Sequence, residues 1–255
     1  MPFASINDIE LFCDEQNPDN QEKSNIFLHG AGGNHLSWWQ QIPHFRESYR
    51  CISIDHRGFG RSIDPSGIGN QRFVDDLEAL IDHLKIERTN LIAQSMGGRS
   101  ALGFSLRQPE RGDTLVMADT WGFFSWPELE RQITELQTAQ VESEAPLTTR
   151  ALGKTFRDEN PAGWFLYRQI FDLNPPRAIQ KANPDTPTLT EVSKLKIPTL
   201  FLVGSEDTIT PPEIIKQVHE IVEKSKFEVV PECGHSIYFE APALFNQIVA
   251  EFLSK

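Results

Sequence analysis

Short apolar runs alternate along the chain with stretches in which apolar residues recur at helical spacing. The apolar runs predict strands near residues 25–29, 50–55, 89–94, 114–118, 198–203 and 227–231. The helical periodicity predicts helices near residues 37–47, 71–85, 96–107, 212–224 and 241–253. Residues 3–13 predict an opening hairpin with Asn7 and Asp8 at its turn. Because this alternation is typical of a mainly parallel sheet with helices on both faces, we predict an α/β fold with an eight-stranded sheet.

The alternation stops between Asp119 and Pro198, where polar helical runs, aromatic residues and prolines follow one another. We predict a helical cap over residues 121–190, inserted into a core made of residues 1–120 and 191–255. Trp121 and Phe123 follow the preceding strand closely and are the predicted substrate-binding aromatics. The other aromatic rings are expected mainly in a small core of the cap itself: Phe124, Trp126, Phe156, Trp164, Phe165, Tyr167 and Phe171.

The strand near residues 89–94 leads directly into Ser95 and then into a predicted helix. A strand that reverses sharply into a helix holds its apex residue in a strained conformation, and the residues two positions away must be small. Ala93 and Gly97 occupy those two positions. The pattern therefore predicts a nucleophile elbow with Ser95 at its apex. Ala93 stands where such elbows usually carry glycine and adds one methyl group.

A serine hydroxyl is a poor nucleophile at neutral pH until a base accepts its proton, and an imidazole serves best as that base when a carboxylate orients it. His235 follows the last predicted strand, and Asp207 follows the strand near residues 198–203. We predict His235 as general base and then general acid, and Asp207 as the orienting carboxylate. Glu206, next to Asp207, and Asp119, at the end of an earlier strand, are alternatives for the acid.

The strand near residues 25–29 ends in the glycine-rich turn His29-Gly-Ala-Gly-Gly33. A tetrahedral intermediate carries a negative charge on oxygen, which backbone N–H groups stabilise when they are already in position. The amides of Ala31 and Met96 are the predicted donors of this oxyanion hole, the second at the positive end of the following helix. Gly30 is predicted to contact the substrate, and His29 is expected to shape the turn rather than to transfer protons.

Several of these motifs occur together in one known group of proteins. The chain carries His29-Gly-Ala-Gly-Gly, Trp38-Trp39-Gln40-Gln41, Asp55-His-Arg-Gly-Phe-Gly-Arg-Ser62, the elbow at Ser95 and Gly234-His235-Ser236. In these motifs it resembles the α/β-hydrolase superfamily, and most of all the branch of carboxylesterases, 3-oxoadipate enol-lactonases and carbon–carbon bond hydrolases. The resemblance leaves out only residues 121–190, and it implies the fold and the chain order serine, acid, histidine. Ser95 separates the chain from epoxide hydrolases and haloalkane dehalogenases, whose elbow carries aspartate.

Composition and charge narrow the classes of function. The chain has 255 residues, of which 39% are hydrophobic, with a formal net charge of -12 and a sequence pI of about 5.0. Such an acidic protein repels polyanions, so we predict no nucleic-acid partner. No apolar run approaches the roughly 20 residues of a membrane span, and the first residues lack the pattern of a leader, so we expect no membrane contact. Cys13, Cys51 and Cys233 show no paired spacing, which favours a cytoplasmic location.

The sequence contains no metal-ligand spacing of His, Cys, Asp and Glu and no dinucleotide-binding glycine motif, so we predict neither a metal nor a cofactor.

The predicted reaction is hydrolysis of a small-molecule carboxylic ester or lactone through an acyl-enzyme on Ser95. Alternatives are carbon–carbon bond hydrolysis of a ring-fission diketone, a cofactor-free perhydrolase or lyase, and a slow-turnover ligand receptor on the same fold. The substrate and the oligomeric state stay open, and a homo-oligomer is compatible with the sequence. Basic residues of the predicted cap could bind a substrate carboxylate or form a solvated face: Arg131, Arg150, Lys154, Arg157, Arg168 and Arg177.

Overall fold

A computed structural model describes residues 2–20, 23–140, 144–176, 183 and 185–254 of the protein. Its strands are β1 (Phe3–Ile6), β2 (Ile9–Gln16), β3 (Ser24–Leu28), β4 (Arg50–Ile54), β5 (Thr89–Gln94), β6 (Gly112–Ala118), β7 (Thr199–Gly204) and β8 (Ser225–Val230). They form one eight-stranded sheet in the order β1-β2-β4-β3-β5-β6-β7-β8. The first two pairings are antiparallel and the others parallel, which confirms the predicted sheet.

The helices are α1 (Ile42–Phe45), α2 (Phe73–His83), α3 (Gly97–Arg107), α4 (Pro127–Ala139), α5 (Leu147–Arg150), α6 (Lys154–Glu159), α7 (Pro161–Asp172), α8 (Leu189–Val192), α9 (Pro212–Ile221), α10 (Ile237–Glu240) and α11 (Pro242–Leu253). Two 3₁₀ helices span His35–Trp38 and Gly69–Arg72. Within the described ranges, every helix is too short or too polar to cross a membrane.

One predicted helix, over residues 37–47, is wrong in its extent. The structure has the 3₁₀ helix His35–Trp38, a break, and then the single turn of α1. Pro43 lies in the first turn of α1. Proline has no N–H group and its ring clashes with the preceding turn, so it is tolerated only near the start of a helix. Pro43 therefore explains why residues 37–47 do not form the single helix that their hydrophobic spacing predicts.

The two faces of the sheet carry two separate parts of the core, because successive side chains of a strand point to opposite faces. Leu115 and Met117 of β6 belong to a buried cluster that contains the apolar residues of α2, α3 and α9. Val116 and Ala118 belong to a second cluster, with the apolar residues of α1, α10 and α11. The parallel strands β3 to β8 thus lie between two helical layers, with their carboxyl ends along one edge.

The segment between β6 and β7 contains α4 to α8. Leu129 and Ile133 of α4 pack in the first cluster, whereas Tyr167 and Ile170 of α7 pack in the second. The side chain of Asn34 donates a hydrogen bond of 2.9 Å to the Ile170 carbonyl and ties α7 to the turn after β3. These short helices thus extend the core of the sheet, where the sequence suggested a small core of their own.

The three cysteines are all buried and form no disulfide. Burial raises the pKa of the Cys13 thiol to about 11 and the pKa values of Cys51 and Cys233 to about 12. Because the thiolate is the reactive form of cysteine, these side chains act at neutral pH as small apolar residues of the core.

Candidate active site

The turn between β5 and α3 has the geometry of a nucleophile elbow. Ser95 has a φ of 47°, in the left-handed region that residues with a Cβ rarely adopt. Its amide donates a hydrogen bond of 3.0 Å to the Ala118 carbonyl, which holds the turn against the end of β6. A Cβ on Gly97 would lie 2.2 Å from the Leu28 carbonyl oxygen, so only glycine fits there. Ala93, on the other side of the turn, is fully buried and its methyl group is accommodated.

The three predicted catalytic side chains lie in one hydrogen-bonded chain. His235 Nε2 lies 2.8 Å from Ser95 Oγ, and His235 Nδ1 lies 2.8 Å from Asp207 Oδ2. Because a carboxylate only accepts, Nδ1 carries the proton and Nε2 is free to accept the serine proton. Ser95 is 8% exposed, and Asp207 and His235 are each 3% exposed, so little water competes for these hydrogen bonds.

The carboxylate of Asp207 is fixed by its own loop. The amides of Ile209 and Thr210 donate to Oδ1 at 2.8 and 2.9 Å, and the Thr210 hydroxyl lies 2.8 Å from Oδ2. An aspartate that accepts from the amides two and three residues ahead is a common turn motif. Sequence reasoning did not single out Thr210, although its position three residues after Asp207 fits this motif.

The two alternative acids face other groups. Asp119 accepts from the amides of Gly204 at 3.1 Å and Ile237 at 3.2 Å and joins the end of β7 to the segment after His235. Burial and the nearby charge of Asp207 raise the pKa of Asp119 well above its usual range. Glu206 accepts from the Thr155 amide at 3.0 Å and from the Thr155 hydroxyl, in the inserted segment. In the described part of the chain, neither carboxylate bonds to His235.

Two residues that the sequence analysis missed hold the segment of His235. Glu240 accepts from the amides of Gly153 at 2.8 Å, Gly234 at 2.9 Å and Ser236 at 3.1 Å. Burial raises the pKa of Glu240 to about 7, and the three N–H bonds oppose this rise. Gln94 donates to the His235 carbonyl at 2.6 Å. The sequence signal for Glu240 was its position directly after the apolar residues 237–239.

The predicted oxyanion turn lies beside Ser95. Ala31 and Met96 both line the cavity that contains Ser95 and His235. Among the described residues, the Ala31 amide donates to no protein acceptor. Gly30 stands behind this lining, where an added Cβ would lie 2.0 Å from Gln94 Oε1 and 3.0 Å from Ser95 Cβ. The turn can approach the serine because Gly30 has no side chain.

His29 lies under this turn in one fixed tautomer. Its Nε2 accepts from the His56 amide at 3.0 Å, so Nδ1 carries the proton and donates to the Gly30 carbonyl at 2.8 Å. The ring is completely buried, and burial lowers the pKa of His29 from 6.5 to about 4. The uncharged imidazole therefore braces the turn, in the position that the sequence analysis expected.

The cavity above Ser95 has a volume of about 170 Å³. Phe123 lines it together with Tyr167 of α7. Trp121 is not among the lining residues: it is buried in the core, with its ring 5.6 Å from that of Phe124. The backbone between them has positive φ at Gly122 and Phe123, which turns Phe123 to the cavity and leaves Trp121 in the core. The predicted contact of Trp121 with a substrate therefore has no support in this geometry.

Among the described residues, the arginine that lines this cavity is Arg99 of α3, which the sequence analysis did not consider. Of the basic residues considered there, Arg177 lies outside the described residues. Arg131 is exposed and paired with Glu128 and Glu135 on α4. The described members of that set are absent from the cavity lining.

Protonation of His29 would place a charge in the core and break the bond from the His56 amide. Because the folded-state pKa is depressed, its contribution to stability is complete above pH 6.5 and is lost as the pH falls towards 4. Between pH 7 and 4, the free energy of unfolding should fall by about 3 kcal/mol more in the wild type than in His29→Gln, measured by urea denaturation. Replacement of the exposed His83 by Gln should keep the wild-type slope; a wild-type slope in His29→Gln would contradict the assignment.

Comparison with known proteins gives the same fold. The chain matches the α/β-hydrolase fold family over residues 26–242. It is 26% identical over 240 residues to 3-oxoadipate enol-lactonase 2 of Acinetobacter baylyi, with 90% of this chain and 88% of that protein covered. It is 25% identical over 258 residues to 2-hydroxy-6-oxo-2,4-heptadienoate hydrolase of Pseudomonas putida, and this alignment also covers 90% of this chain and 88% of the relative.

Among solved structures, a thermophilic esterase of Thermogutta terrifontis superposes with a TM-score of 0.82 at 25% identity. The alignment covers 100% of this chain and 97% of the esterase. The family match spans most of the chain, and the sheet order and the elbow turn agree with it. The chain therefore belongs to the α/β-hydrolase fold family.

Proposed function

We propose that this protein is a serine hydrolase that cleaves a small carboxylic ester or lactone through an acyl-enzyme on Ser95. The observation that supports this most is the unbroken chain of hydrogen bonds from Asp207 through His235 to Ser95 at the floor of a cavity. This arrangement supports acyl transfer, because a carboxylate orients the imidazole and the imidazole accepts the serine proton.

In the first step, Ser95 Oγ attacks the substrate carbonyl while its proton passes to His235 Nε2. The carboxylate of Asp207 stabilises the resulting imidazolium and keeps the ring in place. The carbonyl oxygen becomes an oxyanion, which the amides of Ala31 and Met96 stabilise. Each such donor contributes about 3 to 4 kcal/mol to the transition state. Met96 precedes α3, whose positive end adds to the stabilisation.

In the second step, the tetrahedral intermediate collapses, and the alcohol leaves with the proton from His235. Water then enters, gives a proton to His235 and attacks the acyl group on Ser95. The second tetrahedral intermediate releases the acid and returns the proton to Ser95. With a lactone, the alcohol and the acid belong to one product, so the acyl part and the leaving group must fit the cavity together.

The size of the cavity favours a small substrate. Its volume of about 170 Å³ is below the range of about 300–1,000 Å³ that is usual for drug-sized ligands. Phe123, Tyr167 and Leu147 give it an apolar wall. A short acyl group fits these walls, whereas a long fatty acyl chain would need an exit from the cavity.

Replacement of Ser95 by Ala should abolish hydrolysis of p-nitrophenyl acetate. The wild type should turn over in the usual enzyme range of about 1 to 10³ per second, and the variant should fall about a thousandfold or more. Ser100→Ala is the matched control, since Ser100 is a fully buried serine of the adjoining helix α3 whose hydroxyl has no partner in the described structure. Retention of more than a few per cent of the wild-type rate in Ser95→Ala would contradict the proposal. A wild-type rate far below the enzyme range would favour a slow-turnover receptor instead.

The acid can be tested by two matched substitutions. Asp207→Asn should lower kcat by about 10⁴, because an amide cannot hold His235 in the required tautomer. Asp119→Asn should lower kcat much less and instead destabilise the fold by about 1–3 kcal/mol, because its amide group would face one of two backbone donors. Steady-state kinetics and urea denaturation distinguish the two effects. The opposite order of the two kcat values would transfer the role to Asp119.

Carbon–carbon bond hydrolysis is the second candidate, and the likeness to the Pseudomonas putida dienoate hydrolase is what favours it. The same serine, base and oxyanion turn could serve both reactions. Short esters, lactones and a ring-fission dienone should be assayed side by side. We expect turnover of the esters or lactones; turnover of the dienone alone would give preference to the second candidate.

A further inference from the structure

Arg99 lies in the first turn of α3, four residues after Ser95, and lines the same cavity. Ser95 itself precedes the helix, at the apex of the turn, so it is the cavity that brings the two side chains together. A cation therefore stands at the wall of the cavity into which the nucleophile projects.

The side chain of Arg99 is partly buried. Among the described residues, its Nε is buried without a hydrogen-bond acceptor and no carboxylate forms an ion pair with it. Phe123 is a ring contact of Arg99 in the same part of the chain, with its centroid 4.3 Å from Cζ. Glu130 is the nearby acid, but it is exposed and its carboxylate accepts from the Trp126 amide at 3.3 Å.

Other arginines of this protein show that burial normally comes with a partner. The buried Arg57 donates to Asp76 at 2.7 and 2.8 Å, and the buried Arg50 lies 2.6 Å from Glu15. Burial lowers the pKa of Arg99, and the charge of Glu130 offsets only part of this effect. Arginine nevertheless stays charged at neutral pH, so the cost of desolvation remains.

A buried charged donor without an acceptor is costly, and it is common where a ligand supplies the missing group. The planar guanidinium matches the two oxygens of a carboxylate better than any other common partner. Cζ of Arg99 lies over the Phe123 ring, a cation–π contact that occupies none of the guanidinium N–H groups.

We propose that Arg99 binds a carboxylate on the acyl part of the substrate, so that the preferred substrate is an anionic one, such as a monoester of a short dicarboxylic acid or a lactone that carries a carboxylate. This inference rests on the proposed function, since it assigns the substrate class of the same site. The cavity volume limits the spacer between the ester carbonyl and the carboxylate to a few carbon atoms.

A matched pair of substrates tests the charge alone. Monoethyl glutarate carries a carboxylate where ethyl 5-oxohexanoate carries a methyl ketone of similar shape, and ethanol release follows both reactions. We expect the wild type to have a higher kcat/KM for the anionic ester. In Arg99→Gln the ratio of the two kcat/KM values should fall about tenfold to a hundredfold, the usual effect of losing a charge-assisted pair. Arg99→Lys should retain part of the ratio, since it keeps the charge without the planar fork.

Arg131→Gln is the matched control, because Arg131 is an exposed arginine paired with other residues of α4. It should leave the ratio unchanged. An equal loss for both esters in Arg99→Gln would overturn the inference and show that Arg99 only supports Phe123, while the proposed hydrolase function would stand. A ratio near one in the wild type would overturn it as well.

Binding provides a readout that does not need turnover. In the Ser95→Ala variant, glutarate binding is measured by calorimetry, and the additional change Arg99→Gln should weaken it about tenfold or more. Labelling of Ser95 by a fluorophosphonate in the single variant Arg99→Gln checks that the site is still folded. Absence of glutarate binding to Ser95→Ala, or equal binding in both variants, would contradict the inference even if simple esters are hydrolysed.

Discussion

The close packing of α3 against the end of β3 is the constraint from which the site follows. Gly97 leaves no room for a side chain beside the Leu28 carbonyl, so the helix can begin directly at the sheet. The chain reverses between β5 and α3 within two residues, Ser95 and Met96, and Ser95 takes the positive φ that this requires. The strain is held by the ladder to β6 and by the helix that follows. In return, Ser95, Met96 and Arg99 all line one small cavity.

Buried acids fix the remaining parts of the site by accepting backbone N–H bonds. Glu240 joins Gly153 of the inserted segment to the residues on both sides of His235. Asp119 joins the end of β7 to Ile237 in the same manner. A buried carboxylate is costly, which is why the pKa values of both acids rise, yet several N–H donors offset part of that cost. His235, the proposed base, is therefore positioned by contacts that also hold the inserted segment in place.

The sequence predicted those features that depend on neighbouring residues. Alternating apolar residues set the strands, and small residues around Ser95 set the elbow, because both follow from local backbone geometry. The surroundings of Trp121 and Phe123 were not predictable in this way. Positive φ angles at Gly122 and Phe123 decide which ring reaches the cavity; glycine permits such an angle at position 122, but nothing in the sequence marks one at Phe123. The role of Arg99 was not predictable for a related reason: its lack of an ion-pair partner in the described structure is visible only once the fold shows what surrounds it.

The acidic surface and an anionic substrate are compatible because they act over different distances. A net charge of -12 slows the approach of an anion, but at physiological ionic strength its field decays over roughly 8–10 Å of water. Inside the cavity, the low dielectric strengthens the attraction of a single cation, and Arg99 there has no carboxylate of the described chain to neutralise it. The proposed specificity for an anion therefore depends on the local pairing of the Arg99 guanidinium rather than on the overall charge.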